Sequence, residues 1–429
     1  MICAALGVLA AGCGATKPAT GHRSAATGHR SAGTQSGGAS GAAGLLITPA
    51  SGSTDDTPNL GITVTSAAGA KLSGVAVRAG PSLVAGSLNA TGTAWHSTWA
   101  LGVAKRYTVT ASATTAGQPV SATSSFRTFK PRKTFSAEIY EGAHKTYGVG
   151  MPIMLFFNRP ITDRAAVERS LEVKTSKPIL GSWFWDGRCT EAPVCLYFRP
   201  RHYWPAHTEV SLTGHLDGVQ VSPGVYGAEN LSQTFTIGSS VIVVASTATH
   251  HMDVYRNGKR FARWPISTGR PGDNTPNGTY LTIDKGNPVD MKGPGYNIEV
   301  PWSVRFTWSG DYLHDAYWSV GEQGFTNVSH GCVNMPPADA ETYYKTAVPG
   351  DPVKITGSPA PGRWDNGWTM WFLPWRKWVK GSALHEAVQA GPQGSTFVSP
   401  SSLPADNATA PLLTSATGNY FAGAANIQG

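Results

Sequence analysis

Cys332 lies in the run Ser329-His330-Gly331-Cys332-Val333-Asn334, two residues from one histidine, and fourteen residues separate Ser329 from another, His314. A thiol attacks as thiolate, and a neighbouring imidazole can lower its pKa and take its proton. A glycine directly before the sulfur lets the backbone turn tightly and frees amide N–H groups to face a developing oxyanion. These residue types at this spacing suit acyl transfer through sulfur. Spacing alone leaves two other readings open. Two histidines and a cysteine could bind zinc, although a fourth ligand would be needed and no second cysteine lies nearby. For an isolated His-Gly-Cys triplet, a buried structural cysteine beside a satisfied histidine is the plainer reading.

The elements around these residues are β-rich. Trp308 to His314 should end a strand at the histidine, and a loop of glycine and small residues then leads to Ser329. The block begins near Ser239. Val241-Ile242-Val243-Val244 is a continuous apolar run, as a buried strand requires. His251-Met252-Asp253-Val254-Tyr255 leads into Arg256-Asn257-Gly258-Lys259, an Asn-Gly hairpin signal, with Phe261 to Thr268 as the partner strand. Gly269 to Gly278 is a Gly/Pro/Asn loop, and Tyr280 to Ile283 resumes a strand.

Two further modules precede this block. From Leu45 to Phe129, short alternating runs such as Gly61-Ile62-Thr63-Val64-Thr65 and Tyr107-Thr108-Val109-Thr110 stand between turn clusters, as in a small immunoglobulin-like sandwich. A second sandwich spans 130–238, with a short helix expected from Asp163 to Leu171, capped by Asp163. Cys189 and Cys195 flank the turn Thr190-Glu191-Ala192-Pro193. In an exported protein they read as a local disulfide, the alternative being two free thiols. No catalytic constellation is visible in the first module.

Composition agrees with a multidomain, strand-and-turn protein. The 429 residues include 50 Gly and 30 Pro, and only 14% are charged. The formal net charge is +8, modest for this length, and no basic arm or nucleic-acid-binding motif is present, so no nucleic-acid partner is expected. Residues 1–13 form an apolar leader ending in Leu9-Ala10-Ala11-Gly12-Cys13, too short to span a bilayer. It resembles a bacterial lipoprotein processing site, which implies lipid attachment to the Cys13 sulfur; the alternative is an ordinary signal peptide. Cys3 has no assignment beyond its place in that leader. Residues 14–44 carry a tandem heptapeptide, Ala19 to Ala25 and Ala26 to Ala32, and are expected to be a flexible linker.

His314 with the run Ser329 to Asn334 resembles the signature of the L,D-transpeptidase family, and the similarity extends from Ser239 to Ile355. It includes Ser267-Thr268-Gly269, Thr275-Pro276-Asn277-Gly278, Gly295-Tyr296-Asn297 and Ala316-Tyr317-Trp318-Ser319-Val320-Gly321. The resemblance implies a mostly β chain: two immunoglobulin-like sandwiches (45–129 and 130–238), an L,D-transpeptidase catalytic domain (239–357) and a Trp-rich C-terminal extension (358–390). The sandwiches would act as spacers. By position, Cys332 would be the nucleophile and His314 its base. The residue after the histidine would offer a backbone carbonyl or small side chain to orient it; here it is Asp315, whose carboxylate would either orient and charge-stabilise the imidazole, as a third triad member would, or face solvent. His330 and Ser329 would frame the motif. The Gly331 and Cys332 amides would form the oxyanion hole, Asn334 would fix the loop at the substrate site, and Tyr296 and Trp318 would line the donor pocket, core packing being the alternative for both aromatics.

The implied reaction joins the third residue of one tetrapeptide stem to the diamino-acid side chain of another. It proceeds through a Cys332 thioester with loss of D-Ala, and gives a 3→3 peptidoglycan crosslink. The partners would be donor and acceptor stem peptides, the membrane through the lipid anchor, and carbapenems as inhibitors, in an extracytoplasmic envelope setting. No cofactor is needed and no metal is expected. The same cysteine would serve an L,D-carboxypeptidase or a protein-to-wall ligase, and a catalytically dead wall-binding lipoprotein is the non-enzymatic alternative. Trp364, Trp368, Trp371, Trp375 and Trp378 recur at helical spacing interrupted by Gly367 and Pro374, and are expected to pack on the catalytic domain rather than form a sugar-stacking strip. Residues 391–429 are expected to be a disordered tail.

Overall fold

The computed structural model describes residues 44–115, 117–293, 296–399 and 401. The apolar leader, Cys3, Cys13 and the heptapeptide repeat lie outside them, as does the chain from 402 onward. No helix among the described residues is long and apolar enough to cross a membrane.

Two sheets form the first sandwich. Leu45–Thr48, Thr63–Ser66, Ala94–Ser97 and Gly86–Leu88 make one; Ser82–Leu83, Leu72–Ala79, Arg106–Thr115 and Gln118–Arg127 make the other. Alternation drives it. In Arg106–Thr115 the residues Tyr107, Val109, Ala111 and Ala113 are buried while their neighbours are not, so one face meets the facing sheet's Ile47 and Val64.

The second sandwich is built from two separate stretches of chain. Its four-stranded sheet runs Thr146–Tyr147, Leu231–Ile237, Glu209–Gly214, Leu171–Thr175. Its six-stranded sheet runs Ala137–Ile139, Ile153–Phe157, Val194–Pro200, Ile179–Asp186, and then two strands from the far end of the chain, Ala387–Gly391 and Gly394–Val398. This corrects the expected boundaries. The chain returns from the catalytic domain and adds a hairpin to the second sandwich, so residues 391–398 are ordered β-structure, not tail. Polar, small residues misled the reading because an edge hairpin needs backbone pairing more than side-chain burial.

The short helix is Arg164–Arg169, and Asp163 Oδ1 accepts the Ala166 amide at 2.9 Å as its cap. On that helix Glu168 is buried. Its carboxylate accepts Trp185 Nε1–H, Ser382 Oγ–H and the Ala383 amide, each at 2.6 Å, fastening the returning chain. Cys189 and Cys195 are joined as a disulfide.

The tryptophans settle on the second sandwich, which corrects the expectation of the catalytic domain. Trp371 Nε1–H donates to the Gly150 carbonyl and Trp378 Nε1–H to the Ser182 carbonyl, both at 2.8 Å, and Trp364 Nε1–H reaches Asp186 at 3.0 Å. Pro374 starts the helix Trp375–Val379, so no continuous helical face exists. Contacts to the catalytic domain include Phe372 against Tyr280 and Trp368 edge-on to Trp308.

The catalytic domain stacks two sheets. One runs Lys259–Pro265, His251–Arg256, Val241–Ser246, Pro352–Thr356, Gly278–Leu281; the other runs Lys285–Gly286, Ser303–Arg305, Tyr312–Asp315, Val333–Met335. Asn257 and Gly258 both have positive φ, 46° and 78°, and close the expected hairpin. The apolar run Val241–Val244 is buried on alternate residues only: Val241 and Val243 enter the domain core, while Ile242 and Val244 are half-buried.

Candidate active site

The strands Tyr312–Asp315 and Val333–Met335 pair in parallel, with Leu313 beside Val333 and His314 beside Asn334. This register brings the segments carrying His314 and Cys332 side by side, although the two residues are far apart in sequence. Leu313 and Val333 anchor both strands in the core.

His314 is 3% exposed. Its Nδ1 lies 2.7 Å from the backbone carbonyl of Asp315. A carbonyl only accepts, so Nδ1 carries the hydrogen and the Nε2 lone pair remains for a proton from elsewhere. Burial pulls the imidazole pKa down to about 4, against the raising effect of the Asp315 carbonyl, so the ring is neutral at neutral pH. Asp315 therefore orients the histidine through its main chain. Its carboxylate is neither a triad member nor solvent-facing: it is buried, and Oδ1 has no hydrogen-bond partner. The two-option reading of that side chain is corrected on both counts.

Cys332 is a half-buried free thiol. Burial first, and then the Asp311 carboxylate, push its pKa up to about 12, opposed by the Tyr312 amide. This corrects the expectation of a thiolate primed by its neighbours. The resting pair is a thiol and a neutral imidazole. The thiol donates to the Gly310 carbonyl at 3.8 Å, and among the described residues no hydrogen bond joins it to His314. A contact of that kind commonly tightens only when substrate is bound.

The nucleophile loop is held from several sides. Ser329 Oγ–H donates to the Cys332 carbonyl at 2.6 Å and accepts the Gly331 amide at 3.2 Å. Of the two oxyanion candidates, the Gly331 amide is thus already engaged, which leaves the Cys332 amide better placed. Gly331 has φ +129°, and a Cβ there would run into Asp311 Oδ1, so glycine is required on both counts. Asp311 is fixed in turn by Thr307 Oγ1–H at 2.7 Å and Ser309 Oγ–H at 3.1 Å.

The Gly-rich loop supplies the other wall. Thr275 is buried; its hydroxyl donates to the Gly331 carbonyl at 2.6 Å and accepts the Gly269 amide at 2.9 Å. Ser267 exchanges both backbone bonds with Asn334, and the Arg270 amide donates to the Ser329 carbonyl. Neither Thr275 nor Asp311 stands out in the sequence as a site residue. The Thr275-Pro276-Asn277-Gly278 turn was the one available signal for the former. For the latter, only the Ser309-Gly310-Asp311 turn pointed to a polar corner.

Asn334 is buried and donates to Ser319 Oγ at 2.9 Å, tying the nucleophile strand to the turn after His314. It fixes the loop and does not line a substrate surface. Trp318 is 45% exposed and stacks on His314 with ring centroids 5.9 Å apart; Tyr296 is 36% exposed and stacks on the exposed His330 at 5.0 Å. Neither aromatic is a core residue; both flank the pair. Among the described residues one trio of ligating side chains gathers closely enough for a metal ion, Cys189, Glu191 and Cys195, and its two sulfurs are bonded to each other.

Comparison with known proteins adds the following. Residues 53–220 match the family described as bacterial Ig domain, and residues 240–355 match the family described as L,D-transpeptidase catalytic domain. The chain is similar to L,D-transpeptidase 2 of Mycobacterium tuberculosis (strain CDC 1551 / Oshkosh), with 32% identity over 314 residues, 70% of this chain and 75% of the relative. It is 35% identical over 312 residues to L,D-transpeptidase 5 of Mycobacterium tuberculosis (strain ATCC 25618 / H37Rv), covering 70% and 68%. A solved structure of the LD transpeptidase LdtMt1 in complex with imipenem aligns at 33% identity and a TM-score of 0.42, over 53% of this chain and 100% of that one.

Proposed function

The chain belongs to the L,D-transpeptidase family, and from that premise we propose that it forms 3→3 peptidoglycan crosslinks through a thioester on Cys332, outside the cytoplasm. The observation that supports this most directly is a buried, neutral His314 with Nδ1–H locked on a carbonyl, one parallel strand from the cysteine.

The chemistry follows from those protonation states. Nε2 of His314 takes the thiol proton as Sγ bonds to the carbonyl carbon of the third stem residue, so no standing thiolate is required. The oxygen takes the negative charge and faces the Cys332 amide, joined by Gly331 if it releases Ser329. The imidazolium, held by the Asp315 carbonyl, passes its proton to the D-Ala nitrogen as the C–N bond breaks, leaving the thioester. The side-chain amine of a second stem then attacks. His314 takes a proton from that nitrogen, the C–S bond breaks, and the proton returns to sulfur. Trp318 and Tyr296 would hold the donor stem beside the pair. Lipid attachment at Cys13 would keep the enzyme at the outer membrane face.

The test has two separate arms: intact-protein mass after incubation with a carbapenem, and incubation of drug-free enzyme with disaccharide-tetrapeptide. Wild type should gain one drug mass and Cys332→Ala none, and dimers should form with release of D-Ala. D-Ala release without dimers would replace crosslinking by carboxypeptidase action. A wild-type thiol that titrates but takes no adduct would refute the catalytic reading.

A further inference from the structure

Asp311 stands beside the nucleophile but has no part in the acylation step. Its neighbour in the chain, Gly310, offers the carbonyl that meets the Cys332 thiol at 3.8 Å. Oδ1 of Asp311 faces Gly331, the residue before the nucleophile, so closely that a Cβ there would collide with it. Oδ2 accepts Thr307 Oγ1–H and Ser309 Oγ–H. Ser309 is braced in turn by Asn366, whose Oδ1 accepts the Ser309 amide at 2.8 Å and whose Nδ2 donates to the Ser309 hydroxyl at 2.9 Å. The carboxylate is aimed at the nucleophile loop and held there.

Its charge is uncompensated. Asp273, the other carboxylate that acts on Tyr296, pairs with Arg270 at 2.8 Å. Among the described residues no cation pairs with Asp311, and its side chain is bonded only to the two hydroxyls. A carboxylate half-buried without a counter-charge is costly. It also opposes the first half-reaction, because it holds the proton on Cys332 and repels an oxyanion forming beside the sulfur. The second half-reaction has the opposite demand. Its nucleophile is a side-chain amine that arrives as an ammonium. That cation must reach the thioester and shed a proton before it can attack.

We propose that Asp311 selects the acceptor: its carboxylate docks the side-chain ammonium of the second stem beside the thioester and takes the first proton from it. This rests on the crosslinking reading. The neutral amine then forms the C–N bond and gives a second proton to His314. Sulfur leaves and recovers that proton, and Asp311 returns its own to water. Favouring a cation over neutral water steers the thioester toward the crosslink.

The partition of the thioester between amine and water tests this. Dimer and hydrolysed tripeptide arise from one acyl-enzyme, so a change in acylation rate cancels in their ratio. With disaccharide-tetrapeptide as substrate, Asp311→Asn should lower the dimer-to-tripeptide ratio by at least about tenfold, mainly through acceptor KM, and Asp311→Glu should restore most of it. A second arm uses the wild-type chain alone. A disaccharide-tripeptide with its side-chain amine dimethylated is still a cationic N–H donor but cannot form an amide, and it should divert product from dimer to tripeptide. Its acetylated, neutral counterpart should not. An unchanged ratio in Asp311→Asn, or equal diversion by the two blocked stems, overturns the proposal. So does slower D-Ala release at an unchanged ratio, which would assign the carboxylate to the donor. A wild type that forms no dimer would sink the crosslinking reading itself, a failure distinct from these.

Discussion

Thr275 offers the sharpest test of how the nucleophile is positioned. Its hydroxyl joins the Gly-rich loop to the residue before Cys332, donating to the Gly331 carbonyl and accepting the Gly269 amide. Thr275→Val keeps the shape and removes both bonds, stranding a buried carbonyl and a buried amide. Each unpaired group costs about 1–3 kcal/mol, so the pair costs about 2–6 kcal/mol if the loop stays in place. If the loop shifts to recover those bonds, stability is partly restored, but Cys332 moves. A displacement near 1 Å costs on the order of a hundredfold in rate. In the first case the melting temperature falls; in the second, acylation by a carbapenem, followed by intact mass, slows by at least about tenfold. Thr275→Ser keeps the hydroxyl and should stay near wild type. Should Thr275→Val react within about twofold of wild type with an unchanged melting temperature, or Thr275→Ser be as slow as the valine variant, the positioning argument fails.

The pH dependence should follow His314. With its pKa near 4, the acid limb of the acylation rate should fall near pH 4, and a midpoint at 6 or above would contradict the buried neutral imidazole. The same shift links to stability. The unfolded chain protonates this histidine near 6.5 and the folded one near 4, so stability is full above 6.5 and declines as pH falls to about 4. The difference amounts to roughly 3 kcal/mol, read as the change in melting temperature lost in His314→Gln. Gly331→Ala should fold yet take no carbapenem adduct, since the left-handed φ costs about 1–3 kcal/mol and the new Cβ meets a pinned Asp311; normal acylation would show that the loop tolerates the change. Glu168→Gln replaces an acceptor of three short bonds by a group with only one acceptor oxygen, and should expose residues 357–386 to limited proteolysis at concentrations that spare the wild type.

Local signals made much of the fold legible in advance. The Asn257-Gly258 hairpin, the Asp163 cap and the alternation of Tyr107 to Val109 each depend on residues within a few positions of one another, where steric and hydrogen-bonding preferences act directly. The family resemblance located Cys332 and His314. What it could not give was their state. A cysteine beside histidines suggested a primed thiolate, yet burial and Asp311 push the thiol the other way, because desolvation depends on everything packed around the sulfur. The Asp315 carboxylate invited a triad, but the chain direction of its strand presents the carbonyl to the ring.

Long-range pairing was also hidden. Nothing in the residues 387–398 names their partner. They complete the second sandwich because Ile179–Asp186 leaves an edge free, and an unpaired edge is satisfied by whichever backbone the tertiary arrangement brings to it. The tryptophans chose their surface for a related reason. Spacing shows which side chains can share a face, but only the assembled sandwich supplies the Gly150 and Ser182 carbonyls that their indole N–H groups need and the Arg199 charge that their rings cover. The sequence by itself determined residue chemistry and local conformation. The tertiary structure decided protonation, partner and register, because each of these is set by groups distant in the chain and close in space.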